Sequence, residues 1–243
     1  MNAAPLLRLV LWDIRVQARE RIYLFTAVTT AMFMTAVALL PGSAPATVVT
    51  AILLLDPAVV GAGFVAGLVL LERAQGTPPA LAVTPATPAD YVLAKLATFT
   101  ALTIAGGLAI LSVAYWPPSS PGLLARMTLA LAFTGALSVV GGLVMVATAH
   151  SLNHLIARAF PVSIVVELPL LAHFGVIDGW LAWVLFGASP GHAMLRALLW
   201  AADPAAVTSV EVLYAFGYMA LLTAILLRWA LLLHTRTVGE GTS

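Results

Sequence analysis

The sequence predicts an all-α membrane protein, and three observations carry that prediction. Hydrophobic residues make up 62% of the 243 and charged residues 9%, against roughly 45–50% and about 25% in soluble domains. Apolar runs recur that reach the roughly 20 residues a helix needs to cross a bilayer. Between those runs lie short clusters of Pro, Gly, Ser and charge, which are turn formers. Cysteine is absent, so there is no disulfide framework and no thiolate chemistry. The net charge of +1 excludes little by itself, because the positions of the charges matter more than their sum.

The first element is the basic N-terminus. At 100° per residue, Arg8, Arg15 and Arg19 fall within about 40° of one another, while Leu6, Leu7, Val10 and Ile14 gather elsewhere. That pattern predicts an amphipathic interfacial helix along the inner membrane surface; the simpler alternative is a basic leader that only fixes topology. A cleavable signal is not expected, since the basic section is long and no small-residue cleavage site follows a short apolar core.

Six transmembrane spans follow, at about 22–40, 46–71, 91–115, 123–149, 159–177 and 210–233. The breaks carry turn chemistry: Pro41-Gly42-Ser43, the run Pro117 to Gly122, and Asp203-Pro204. Thr87-Pro88-Ala89-Asp90 reads as a cap, a first-turn proline and an acid at the third position, opening span three. Thr208-Ser209-Val210-Glu211 opens span six in the same way, with cap and acid three apart. Nine of the eleven Lys and Arg fall on one side, which predicts a cytoplasmic location for it and for both termini. Tyr115, Trp116, Trp180 and Trp183 then lie at the outer interface. The whole chain, 1–243, reads as one transmembrane domain.

Between spans two and three runs LLERAQGTPPALAVTPATPADYVLAK, Leu70 to Lys95. Thr77 with Pro78 predicts the start of a short helix. It ends near Thr84, because the residue before Pro85 is pushed out of the α region. The product is a cytoplasmic rod over about 77–84. Its Leu81 and Val83 have no membrane to enter and suit a partner's groove; the plain alternative is a tight turn.

This stretch resembles the coupling-helix region of ABC-2 type transporter permeases, at Glu72, Arg73, Gly76, Thr77, Leu81, Thr84, Pro85, Tyr91 and Lys95. The resemblance extends to the basic N-terminal helix, the six spans and the outer segment FGASPGHAMLRALLW, which is similar to the family's short outer helices between spans five and six. The run LLLDPAVVGAGFVAGLVLLE is most similar to the permeases of fluoroquinolone exporters, with haem-exporter-like permeases as second relatives. Pro78-Pro79 departs from the family pattern, which usually has Leu or Glu there. The resemblance implies a transport subunit without catalysis of its own. Two permease subunits, identical or sister chains, would form the pathway for a hydrophobic or amphipathic substrate. Each would seat its coupling helix (Glu72, Arg73, Gly76, Thr77, Leu81, Val83, Pro85) on a separate ATPase subunit, two copies in all. ATP and Mg would act through that partner, because this chain has no phosphate-binding G-x-x-x-x-G-K-[ST] loop. Arg and Ala richness hints at a GC-rich bacterial genome, and hence at the inner membrane.

Asp56 and Glu167 lie inside apolar spans, each beside a proline, Pro57 and Pro169. An ionised carboxylate at such depth costs at least about 2.5–3.5 kcal/mol unless it meets water, a donor or a cation. The prolines remove backbone donors and free the carbonyls of Leu53 and Val165 one turn earlier. Asp56, Pro57, Glu167 and Pro169 are therefore predicted to line the translocation path and attract a cationic group. The alternative is protonated or satisfied carboxyls that pack helices. Gly63 and Gly67 form a small-xxx-small pair for close helix approach, within the chain or at a dimer seam.

His150 and His154 have metal-ligand spacing but no evident third ligand, so capping or interfacial roles are expected. No metal site, no Ser-His-Asp or H-E-x-x-H pattern, and no free basic patch for nucleic acid is evident. A rival reading is a proton-coupled secondary transporter or channel with Asp56 and Glu167 as relay, which would favour inverted repeats. No such repeat is evident. An intramembrane enzyme lacks any constellation.

Overall fold

In the computed structural model, residues 3–40, 46–77, 84–115 and 121–240 are described, and among them there is no β-strand. Helix α1 (Ala3–Arg19) meets α2 (Ile22–Ala38) at a bend of 69°. Arg21 makes the corner in the left-handed region, with φ 59°. Helix α3 (Ala46–Asp56) runs into a π-helical segment, Pro57–Phe64, and then into α4 (Val65–Ala74). Two long helices follow, α5 (Pro88–Ala114) and α6 (Pro121–Ala147). Helix α7 (Leu152–Glu167) breaks before the one-turn α8 (Leu170–His173), and α9 (Gly179–Phe186) and α10 (Pro190–Ala202) lead to α11 (Ser209–Glu240).

Five helical stretches are long and apolar enough to cross a membrane: 46–74, 88–114, 122–147, 152–173 and 209–234. The bent pair α1–α2 makes a sixth if it counts as one span. The chain is thus a helical membrane protein.

Local chemistry explains most of the boundaries. At the start of α5, Asp90 N–H donates to Thr87 Oγ1 (3.1 Å) and Thr87 N–H to Asp90 Oδ2 (2.9 Å), a complete capping box with Pro88 in the first turn. Thr208 and Glu211 repeat it at α11, at 3.4 and 2.8 Å. Helix α4 stops because Gly76 follows with φ 72°, the left-handed conformation that glycine adopts at helix ends without a Cβ penalty. The fifth span begins at Leu152, seven residues before the predicted Ala159, because Ser151 Oγ caps it by accepting from His154 N–H at 3.2 Å. Polar Asn153, His154 and Arg158 hid that start from a reading of apolar length. It breaks beside Pro169, well before Ile177.

Helix α6 sits at the centre, against α5, α11, α10, α4 and the π segment. One apolar cluster, with Leu53, Leu111, Met127, Leu131 and Leu198, fills one end of the bundle; another, with Val65, Leu68, Val92, Phe99 and Leu143, fills the other. Of the short outer helices expected between spans five and six, α10 is not superficial: nine of its 13 residues are buried, against α3, α6 and α11. Within the chain, close helix approach does not use Gly63 and Gly67. Gly63 is exposed, and no atom lies within 4 Å of a Cβ built on Gly67. It uses Gly142, where a Cβ would stand 2.6 Å from the Ala62 carbonyl oxygen of the π segment.

Candidate functional site

The α1 end of the bundle holds a polar cluster that sequence reasoning did not assemble. Lys95, two turns into α5, is only 1% exposed. Its Nζ pairs with Asp13 of α1 and, at 2.6 Å, with Glu72 of α4. Tyr91 OH donates to the second Glu72 oxygen at 2.5 Å. Gln17 Nε2 donates to Asp13 at 2.7 Å, and Thr98 Oγ1 donates to Asp13 as well. Lys95 also lies 5.9 Å from the Trp12 ring and 5.2 Å from the Tyr91 ring. Two carboxylates thus share one ammonium and three neutral donors, as buried charges require.

The helical wheel explains how α1 reaches inward. Arg8, Arg15 and Arg19 form an exposed stripe, Leu7, Leu11 and Ile14 a second exposed stripe, and Leu9, Asp13, Val16 and Gln17 a buried third. The arginines dominate a charge reading. The third stripe mixes two polar with two apolar residues, so periodicity alone did not mark it. Spacing was a usable signal for one contact only: Tyr91 and Lys95 stand four apart, on one helix face.

The residues expected to couple to an ATPase divide in two. Glu72 is 2% exposed and turned into the cluster. Arg73 donates from Nη1 to the carbonyls of Val146 (2.8 Å) and Ala149 (3.3 Å), holding the C-terminal end of α6. Both make their side-chain hydrogen bonds within the protein. Gly76 and Pro85 are exposed and Thr77 half-buried, beside the excursion itself. Leu81 and Val83 lie at 78–83, outside the described residues, and with them nearly all of the predicted rod at 77–84. Just after it, Ala86 N–H donates to Thr84 Oγ1 at 3.3 Å.

The residues expected along the path are not brought together either. Asp56 is 0% exposed, and neither carboxyl oxygen has a hydrogen-bond partner among the described residues. It faces Gly106 of α5, where a Cβ would lie 3.1 Å from both Asp56 Oδ2 and Thr30 Oγ1. The π segment begins at the next residue, Pro57, in keeping with the loss of its backbone donor. Glu167 instead lines a cavity of about 150 Å³ with Ala62, Ser138, Gly141, Ser163 and Met194. The break at Pro169 frees the Val165 carbonyl as expected, and Ser189 Oγ occupies it at 3.2 Å. The neighbouring Gly191 packs so closely that a Cβ there would fall 1.7 Å from the Val166 oxygen. Ser189, at the N-terminus of α10, therefore makes no side-chain cap hydrogen bond there.

At the Thr47 end of the bundle, Trp183, His192 and Tyr214 pack edge-to-face or tilted, with centroids 4.8–6.1 Å apart. Arg196 lies 5.7 Å from the Trp183 ring and 3.3 Å from Glu211. Burial, reinforced by the Arg196 charge, pushes the His192 imidazole down to about 4, so it is neutral at pH 7. His150 and His154 stack with centroids 5.6 Å apart, and no group of three metal-ligand side chains occurs among the described residues.

No family model, no curated protein and no solved structure matches the chain.

Proposed function

We propose that the chain is the membrane-spanning subunit of an ABC-2 type exporter, moving a hydrophobic or amphipathic substrate, a fluoroquinolone-like drug being one candidate, with energy from a separate ATPase. One observation supports this most. Glu72, Tyr91 and Lys95, three of the residues that carry the resemblance, meet in a single buried cluster with Asp13. That cluster ties α1 to the bases of α4 and α5, the two helices that flank the 77–84 excursion. A push on the excursion would move α4, α5 and α1 as one rigid piece, whereas a loose loop cannot carry differential free energy between states. Glu72 and Arg73 then act as positioning residues, and the docking contacts belong to Leu81 and Val83. The substrate would pass beside the Glu167 cavity, in a pathway completed by a second permease subunit, in a bacterial inner membrane with both termini inside.

The rival, a proton-coupled transporter, needs Asp56 and Glu167 on one relay. Asp56 faces α2 and α5 while Glu167 faces the cavity between α6, α7 and α10, which favours the first reading. Affinity purification from the native host tests it. A nucleotide-binding subunit should co-purify with the wild type and be released by Leu81→Asp. Export that persists when every such ATPase is deleted would sink the proposal.

A further inference from the structure

The Thr47 end of the bundle holds a second polar site, which the transport reading does not use. A cavity of about 80 Å³ lies between the Pro169 break and α10. Its lining includes His173, His192 and Arg196, three nitrogen-bearing side chains, and no acid among the described residues. His192 is 2% exposed, and its Nε2 has no hydrogen-bond partner among the described residues. Arg196 follows four residues later, on the same face of α10. It gives one guanidinium nitrogen to Glu211 at 3.3 Å, which leaves further N–H groups in its planar fork. His173 Nε2 lies 2.8 Å from the Thr47 carbonyl oxygen, which can only accept, so this nitrogen carries its hydrogen there. His192 stands in the first turn of α10, at the positive end of a 13-residue helix, whose N-cap serine is diverted to Val165.

We propose that this cavity binds a carboxylate group, with His192 Nε2–H and the Arg196 guanidinium as donors and the α10 N-terminus adding positive potential. Sign selects the class: a guanidinium on the wall repels a cation, and two histidines make a poor metal site without a third ligand. Shape selects within the class, because the guanidinium fork matches the two oxygens of a carboxylate. Size bounds the group. A volume of 80 Å³ is the share of two to three waters, at about 30 Å³ each, so it encloses a formate or acetate, or only the carboxylate end of a larger molecule. Glu211 competes for Arg196 and sets the affinity low. Trp183, in contact with both donors, is a built-in reporter.

The test uses the purified full chain in detergent, titrated with formate and acetate at constant ionic strength in chloride. A saturable change in tryptophan emission is expected, absent in Trp183→Phe, with binding weakened at least tenfold in His192→Gln and Arg196→Gln. Calorimetry on the wild type alone repeats the measurement without variants that risk misfolding. Benzoate distinguishes the sources: tighter binding than acetate marks the end of a larger molecule, weaker binding a small free carboxylate. No saturable response over chloride overturns the proposal, as does zinc binding that His192→Gln removes while carboxylates stay silent. None of these results depends on an ATPase.

Discussion

Lys95→Met is the most informative single substitution. It removes the ammonium that Asp13 and Glu72 share and leaves an apolar chain of similar length. Both carboxylates are buried, with side-chain exposures of 2%, so water cannot replace the lost partner. Breaking one buried pair in this way costs about 3–5 kcal/mol. At roughly 2–4 °C per kcal/mol for a chain of about this size, the melting temperature should fall by about 6–20 °C. The assay is tryptophan-monitored unfolding of the purified protein in detergent, with size exclusion as a check on folding. Adding Glu72→Gln should recover part of the loss, because Tyr91 can still donate to the amide oxygen and only Asp13 remains uncompensated. Asp13 keeps Gln17 and Thr98 as donors but has lost its cation, so the recovery is partial. A melting temperature within about 2 °C of wild type for Lys95→Met, or no gain from the second substitution, would show that the cluster does not hold α1 to α4 and α5.

Three further outcomes are expected. Gly191→Ala should unseat α10 from the Val166 carbonyl, since a Cβ 1.7 Å from an oxygen cannot be accommodated without backbone movement, and thermal stability should drop by at least about 1–3 kcal/mol; an unchanged melting curve would refute that packing. Asp56→Asn removes an acid that has no hydrogen-bond partner among the described residues, so thermal stability should hold or rise. Unchanged export in both Asp56→Asn and Glu167→Gln would remove their role in the path. For His192, a pKa held at about 4 against about 6.5 unfolded means the unfolded chain binds the proton first. Its contribution to stability is complete above about pH 6.5 and is lost as pH falls through 4, so the difference between wild type and His192→Gln should shrink over that window. A constant difference from pH 7 to pH 4 would refute the burial argument.

How far the sequence could be read depended on whether a feature was local. The cap at Thr87 and Asp90 and the cap at Thr208 and Glu211 were legible because both partners lie within one turn. The irregularities at Pro57 and Pro169 were legible because a missing donor acts on the carbonyl four residues back. The partner for one of those carbonyls, Ser189 on Val165, was not, since 24 residues separate them. Glu72 and Arg73 read as coupling residues through the resemblance alone, yet their side-chain hydrogen bonds run inside the protein, to Lys95 and Tyr91 and to the end of α6.

The sequence by itself determined that this chain is helical and belongs in a membrane: its composition leaves no other way to hide 62% hydrophobic residues, and its prolines and caps punctuate the helices. Only the tertiary structure decided which of its few charges face one another. Asp13 and Lys95 lie 82 residues apart, and no local rule relates them. Burying either one alone is too costly, so folding brings them together, and that requirement acts across space and leaves no periodic trace along the chain.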